Sequence, residues 1–392
     1  MSIDDVASGR RGRSRLRIGV LASIAHRTPP RGYGPWEQVA STLAEGLFAL
    51  GHDVTLFATA DSLTAGRLHA EAPHGYEEDR GVGIPGYDVP GYDVPGYDVK
   101  VYEGLHNAAA FERADEFDLL SNHFDFLPLT YSRLVSTPVV TTIHGFSSER
   151  IVPVYRAYDD IGHYVAISDA DRHPDLTYDA TIHHGIDLSP FTFRDRPGDY
   201  LLFLGRIHPD KGTHRAVEVA RRAGLPLVIA GIVQDRDYFR ELVEPHVGTP
   251  GVTYAGPVGP AERDALLGGA LALLHLIGFA EPFGLSVVES LATGTPVIAY
   301  PLGSMPEIIR PGRTGFLVDD VDGAVEAVGR VDSLSRRHCR DDVEERFTAA
   351  RMVADYAELF ARIVSGGPSA VSRSTSRGMS TKANRTDASL AP

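Results

Sequence analysis

Gly278-Phe279-Ala280-Glu281-Pro282-Phe283-Gly284-Leu285-Ser286-Val287-Val288-Glu289-Ser290 is the stretch on which the reading of this chain turns. Two glutamates, Glu281 and Glu289, stand with seven residues between them. Ahead of them, Ala270-Leu271-Ala272-Leu273-Leu274-His275-Leu276 is an apolar run of the length of a buried strand. The small-residue turn Phe283-Gly284-Leu285-Ser286 then opens into a helical run. The pattern is strand, acidic loop, glycine turn, helix. Free amides at a helix start suit an anion such as a phosphate. Carboxylates beside such a site accept hydrogen bonds from hydroxyls, as on a sugar or ribose. Taken alone, Glu281 and Glu289 fit equally well as residues that cap and flank a helix, so the rest of the chain must decide.

The composition narrows the field. A chain of 392 residues is long enough for two or three domains, and its 43% hydrophobic content supports sizeable cores. With 52 acidic against 38 basic residues, the net charge of −14 argues against a nucleic-acid binder, which needs a basic face. The one cysteine, Cys339, excludes a disulfide framework and a cysteine metal site, and it fits a reducing cytosol. Arg10, Arg11, Arg13, Arg15 and Arg17 precede the apolar run Ile18–Ala25, which is short for a signal core. The reading adopted is a flexible leader, 1–16, followed by a first buried strand. No run reaches the ~20 apolar residues of a membrane span, so a cytoplasmic protein is expected; the basic leader leaves peripheral contact with an anionic membrane open.

Outward from the opening stretch, strands and helices alternate. Arg17–Ser23 reads as a strand and Trp36–Leu50 as a helix with Val39, Leu43, Leu47 and Leu50 on one face. Gly51 stops that helix, and Asp53–Ala58 is a second strand. The loop between them, Thr28–Pro35, lacks G-x-G-x-x-G spacing, which argues against NAD. Leu105–Ala114 reads as helical, and Asp118–Leu120, Pro138–Ile143 and Tyr164–Ile167 as strands. The strand Pro138–Ile143 ends at His144-Gly145, and ligands of open parallel sheets sit beyond such carboxyl ends. Residues 85–99 are three copies of Pro-Gly-Tyr-Asp-Val, too short a unit for a solenoid; their Pro-Gly content indicates an exposed loop. A second block starts near residue 199: strand Tyr200–Leu204, helix Thr213–Ala223, strand Leu227–Gly231, a helix from about Asp237, strand Val252–Tyr254, a helix from Pro260, the opening stretch, and Pro296–Ala299. Two such blocks make two doubly wound α/β domains with a cleft between them. Between strand Tyr200–Leu204 and its helix, Arg206 and Lys211 with the amides of Gly205 and Gly212 form a loop able to hold a diphosphate. From about 366 the chain is polar and serine-rich, the composition of a disordered tail.

At this point the chain resembles the retaining glycosyltransferases of the GT-B fold, in the family 4 group. The resemblance spans about 17–362. It rests on Gly51-His52-Asp53-Val54-Thr55-Leu56-Phe57, Ile143-His144-Gly145, Ala166-Ile167-Ser168, Gly185-Ile186-Asp187, Gly205-Arg206 through Lys211-Gly212, Glu281 through Glu289, and Ala292-Thr293-Gly294-Thr295-Pro296-Val297. It implies two Rossmann-like domains facing each other across a cleft: an acceptor-side domain, 17–190, with a mobile loop at 72–99, and a nucleotide-sugar domain, 191–335. A final helical segment, 336–363, would pack back on the first domain, and 364–392 would be a tail. It also implies roles. Arg206 and Lys211 would hold the donor diphosphate and Glu281 the sugar hydroxyls. Phe283, Gly284 and Leu285 would offer backbone amides, Glu289 would accept ribose hydroxyls, Val258 would meet the base, and His144 would lie beside the donor sugar. Gly34 would serve the first glycine loop, where Pro35 departs from the usual pair of glycines. His183-His184 stands where the family often has asparagine, a change expected to alter only a local turn. The co-substrate would be a nucleotide sugar, UDP-linked, with no further cofactor. No metal is implied, because the cations replace it; Asp235-Arg236-Asp237 has the look of a metal-binding pair but reads as a helix start. The expected reaction is transfer of a hexose-type sugar with retention, to an acceptor that the sequence does not identify; nor does it give the oligomeric state. A sugar-nucleotide epimerase of the same fold and a non-catalytic nucleotide-sugar-binding protein are the alternatives.

Overall fold

The computed structural model describes residues 15–77, 93–94, 97–146, 149–249 and 251–366. Fifteen strands form two parallel sheets and one small hairpin among these residues. The first sheet takes β1 (Arg17–Leu21), β2 (Asp53–Phe57), β3 (Arg67–His69), β6 (Leu119–Asn122), β7 (Val139–Ile143), β8 (His163–Ala166) and β9 (Tyr178–Thr181) in the order β3-β2-β1-β6-β7-β8-β9. The second takes β10 (Leu201–Leu204), β11 (Leu227–Ala230), β12 (Val252–Gly256), β13 (Ala272–His275), β14 (Val297–Ala299) and β15 (Gly315–Leu317) in the order β12-β11-β10-β13-β14-β15. Every pairing within both sheets is parallel. Each sheet therefore winds outward from a central strand and reverses beside it. That reversal opens a crevice at the carboxyl ends of β1 and β6 in one domain, and of β10 and β13 in the other.

The strands are apolar because both faces are covered. In the first domain the Pro35–Ala49 helix lays Val39, Leu43 and Leu47 on Ile18, Val20, Val54 and Leu56. Pro35 is the first residue of this helix and Gly34 its N-cap at φ 155°. Proline suits that position, since the amide it lacks would have no partner within the helix.

The sequence from 336 to 363 forms two helices, not one. Thr348 caps the second, its Oγ1 accepting from Arg351 N at 3.2 Å. The first, Arg336–Arg346, stays with the second domain: Cys339, Val343 and the following Phe347 pack with Val287, Val288 and Leu291. The second, Ala349–Val364, crosses back. Its Met352, Val353, Tyr356 and Phe360 complete the core of the first domain. The two chain crossings touch, with Ile186 N donating to Phe347 O and Ala349 N to Ile186 O, both at 2.9 Å.

The leader is described only from Arg15, and the tail beyond Gly366 lies outside the described residues, as do 78–92 and 95–96 of the repeat region. Residues 72–77 pack against the loop after β1, with Ala72 buried and Tyr76 N donating to Ile24 O at 3.3 Å. Of the repeat, Asp93–Val94 (β4) and Tyr97–Asp98 (β5) pair antiparallel. Asp98 then caps the Val99–Glu112 helix by accepting from Val101 N at 3.2 Å, so Asp98-Val99 of the third copy is a helix start.

Candidate active site

The candidate site of the second domain stands at the crevice of its sheet. Arg206 follows β10, and its guanidinium donates to Gln234 Oε1. Lys211 ends the 3-10 turn Pro209–Lys211, and Gly212 follows in the left-handed region at φ 71°. A Cβ on Gly212 would lie 2.2 Å from Leu276 O, so only glycine lets this loop lie against the segment after β13. Gly278 N donates to Asp210 O at 2.7 Å, tying the same two loops together.

That closeness places Lys211 on Glu281, Nζ to Oε2 at 2.6 Å, with each side chain only 16% exposed. Lys211 Nζ also lies 4.6 Å from the centre of the Phe279 ring. His275, the last residue of β13, brings its Nε2 to 4.0 Å from the same carboxylate oxygen. Burial, helped by Lys211 and opposed by Glu281, pushes His275 down to about 4, so its imidazole is neutral. A close cation and carboxylate in a half-closed crevice make a polar pair able to exchange partners with a ligand's hydroxyls and phosphate.

Gly284 caps the Leu285–Ala292 helix at φ 91°. Phe283 is buried, and its carbonyl accepts from Ser304 Oγ at 2.6 Å. Ser304 N donates to Glu281 O at 2.9 Å, so Ser304 holds both sides of the turn. Glu289, on that helix, meets Arg263 Nη1 at 3.3 Å. Burial raises the Glu289 carboxyl and Arg263 partly offsets this. Val258 lies half-buried in the loop that leads to the Pro260–Gly269 helix, which carries Arg263. No described contact joins Val258 directly to the Lys211–Glu281 pair.

The opposite wall comes from the first sheet. His144 follows β7 and is buried at 9% exposure. Its ring stacks on Trp36, with centroids 5.5 Å apart and planes 21° apart, so Gly34 and the helix it caps reach the site through Trp36. His144 Nε2 meets His123 Nδ1 at 3.0 Å, and His144 Nδ1 meets His184 Nε2 at 3.3 Å. Burial holds all three neutral: His123 and His184 fall to about 3, and His144 is lowered well below its usual value. Next to His144, Gly145 sits at φ 109°, where a Cβ would lie 2.7 Å from Pro282 Cγ. Ser168 Oγ donates to Pro282 O at 2.7 Å. The two walls therefore meet at the residue after Glu281.

His123 and His184 were not legible as site residues. His183-His184 does more than shape a turn: His184 bonds His144, and His183 Nε2 meets Glu307 Oε2 at 2.9 Å across the domains. His275 and Ser304 were missed as well. The adjacency of His144-Gly145 and His183-His184 to strand ends was the available signal for the histidines. The Asp235–Asp237 pair is a helix start: Asp235 Oδ1 accepts from Tyr238 N at 2.8 Å and Asp237 pairs with Arg240. Among the described residues, no group of three or more His, Cys, Asp or Glu is placed to hold a metal ion, and no helix is long and apolar enough to cross a membrane.

Two facing Rossmann-like domains, each with ligand-type loops at its strand reversal, define the GT-B class. Residues 36–190 match Glycosyltransferase Family 4 and residues 190–346 match Glycosyl transferases group 1. The chain belongs to this family of GT-B glycosyltransferases. A D-inositol 3-phosphate glycosyltransferase of Streptomyces scabiei is 33% identical over 203 residues, covering 43% of this chain and 43% of that protein. The chain thus spans under half the length of this curated relative. A sucrose-phosphate synthase from Thermosynechococcus elongatus shares the fold at TM-score 0.70 and 18% identity, over 90% of this chain and 100% of that one. The Anabaena protein HepE, solved with UDP and glucose, does so at TM-score 0.65 and 17% identity, over 88% and 99%.

Proposed function

We propose that the chain transfers a hexose-type sugar from a UDP-linked donor to an acceptor, with retention at the sugar carbon and without a metal. The observation that carries this reading is the Lys211–Glu281 pair at the mouth of the second sheet, 2.6 Å apart, beside Arg206 and the Gly284 helix start. Breaking a sugar–phosphate bond builds negative charge on the departing diphosphate and positive charge on the ring. Lys211, Arg206 and the amides of Phe283 to Leu285 stabilise the first. Glu281, drawn from Lys211 toward the sugar, accepts its hydroxyls, while Glu289 turns from Arg263 to the ribose. The histidine-lined wall shields the ring from water that would hydrolyse the donor. The leaving phosphate takes the acceptor proton on the face from which it departs, which preserves configuration. Support for UDP comes from the Anabaena protein of this fold that was solved with UDP and glucose.

Thermal-shift titration against UDP, GDP and ADP sugars tests the donor. A UDP sugar is expected to raise the melting temperature most, and a clear preference for a GDP sugar overturns the base assignment. Incubation with donor alone is expected to give slow hydrolysis to free sugar. A new sugar nucleotide would instead identify an epimerase. Arg206→Ala and Glu281→Ala are each expected to cut turnover about a hundredfold. If both leave binding and turnover unchanged, the site lies elsewhere.

A further inference from the structure

The three histidines form a linear chain that the proposed chemistry does not use. Ser121 Oγ lies 3.2 Å from His123 Nε2. His123 Nδ1 lies 3.0 Å from His144 Nε2, and His144 Nδ1 lies 3.3 Å from His184 Nε2. The members come from the carboxyl ends of β6 and β7 and from the crossing after β9. His123 is fully buried and His184 is 4% exposed. The far nitrogen, His184 Nδ1, is buried with no hydrogen-bond partner. Trp36 covers one face of the His144 ring, and Phe283 of the donor loop packs on His184 with centroids 5.0 Å apart.

We infer that His123 and His184 are positioning residues for His144: their inner nitrogens clamp both nitrogens of its ring, fixing its tautomer and its plane against the donor sugar. The physical argument is a proton count. Three neutral imidazoles hold one N–H each, and two inter-ring bonds need one proton apiece. The bonds must run in one direction along the chain. Donation toward His184 would leave a buried N–H without a partner on His184 Nδ1, whereas donation toward Ser121 leaves that nitrogen a bare acceptor, so the second arrangement is favoured and puts the His144 proton on Nε2. In either direction His144 has one proton and no free ring nitrogen, and in the favoured one that proton stays on Nε2, so the ring serves as a fixed neutral surface and not as a proton carrier. Phe283 links this clamp to the donor turn, since movement of His184 presses on the residue whose carbonyl Ser304 holds. An asparagine at 184 would be too short to reach His144 as Nε2 does.

This inference rests on the proposed sugar transfer for its kinetic arm only. The geometry sets opposite amide preferences at the two positions. Glutamine places its amide where a histidine has Nε2, and asparagine where it has Nδ1. His184→Gln should therefore keep turnover within about threefold, whereas His184→Asn and His184→Phe lower kcat about tenfold with donor KM little changed. At the other end the order inverts: His123→Asn should keep activity and His123→Gln and His123→Leu should lose it. Long-range proton–nitrogen spectra of the free protein read the clamp without any substrate. Wild type should show His144 as a single tautomer, and His184→Phe should shift its ring nitrogens toward a tautomer average. His123→Leu supplies the same reading should His184→Phe not fold. If the amide preferences are absent, or if His144 keeps one tautomer in both apolar variants, the inference fails. If wild type turns over no nucleotide sugar but its His144 spectrum responds as described, the clamp stands and the proposed function falls.

Discussion

At the scale of single residues, Glu281 and Glu289 separate by what they touch. Glu281 is held by Lys211 at 2.6 Å, in the loop after β13, whereas Glu289 is held by Arg263 at 3.3 Å, on the helix beyond. In the proposed transfer Lys211 would act on charge that develops only in the transition state. Lys211→Ala should therefore lower kcat by about a hundredfold with a smaller change in donor KM. In the same proposal Glu289 would bind a part of the donor that does not react. Glu289→Ala should raise donor KM about tenfold, equivalent to about 1.4 kcal/mol, and move kcat less. Steady-state kinetics with the best donor decide both, and a Lys211→Ala enzyme changed in KM alone would contradict the charge argument. The sequence singled out Arg206, Lys211, Glu281 and Glu289, because the first three lie in strand-to-helix connections and the fourth in the helix that follows, and each local pattern marks itself. It did not show His123, His184, His275 or Ser304 as partners. Their meaning arises only when strand ends distant in the chain are brought side by side.

At the scale of elements, the long and fully buried strands were legible, and the helix Thr213–Ala223 has the bounds its periodicity predicts. The strands β3, β9 and β15 were not, since Arg67–His69, Tyr178–Thr181 and Gly315–Leu317 are only partly buried and lack the continuous apolar run that marks the equally short β10, β11, β13 and β14. The break between the last two helices was missed too, although Thr348 three residues before Arg351 is a cap by type. Gly185 shows what the Gly185-Ile186-Asp187 motif does for the fold. A Cβ there would lie 2.3 Å from Thr348 O and 2.6 Å from its carbonyl carbon. Both neighbours are backbone, held by the paired bonds between Ile186, Phe347 and Ala349. Gly185→Ala must then push the two domain crossings apart, at a cost of about 1–3 kcal/mol. Chemical denaturation measures it; an unchanged midpoint would mean the crossings are not rigidly joined. On the last helix, Tyr356→Phe removes only the hydroxyl that meets Thr142 Oγ1 at 2.8 Å, and should cost about 1 kcal/mol.

At the scale of the whole molecule, the domains are joined by polar contacts as well as by the crossings. Glu307 of the second domain accepts from the amides of Asp169 at 3.0 Å and Ala170 at 2.8 Å, in addition to meeting His183. Beside it, burial and Glu307 raise Asp171 to about 7, and its Oδ2 is buried without a partner. These groups set how stability responds to acid. His106 and His275 are pushed down to about 4, His123 and His184 to about 3, and His144 is well below its usual value, all chiefly by burial. The unfolded chain takes up those protons first, near pH 6.5. Their contribution is therefore complete above that pH and declines as pH falls toward 3–4, by up to about 1.4 kcal/mol per pH unit for each histidine. Carboxyls raised by burial act the other way. Asp171 at about 7, Asp125 at about 6, and Glu37, Glu103 and Glu289, also raised, bind protons in the fold before they do in the unfolded chain. Between pH 6.5 and 5 the unfolded chain protonates five histidines that the fold keeps neutral, against Asp171 and Asp125, which the fold protonates in the same window, so the histidines outweigh those two. Melting temperature should fall from pH 7.5 to 5. His184→Gln removes one of the declining terms and should make that slope shallower. Asp171→Asn removes an opposing term, so it should stabilise the protein at pH 7.5 and make the acid loss steeper. Calorimetry of the three proteins across this range separates the contributions, and parallel curves would show that neither group changes its protonation on folding.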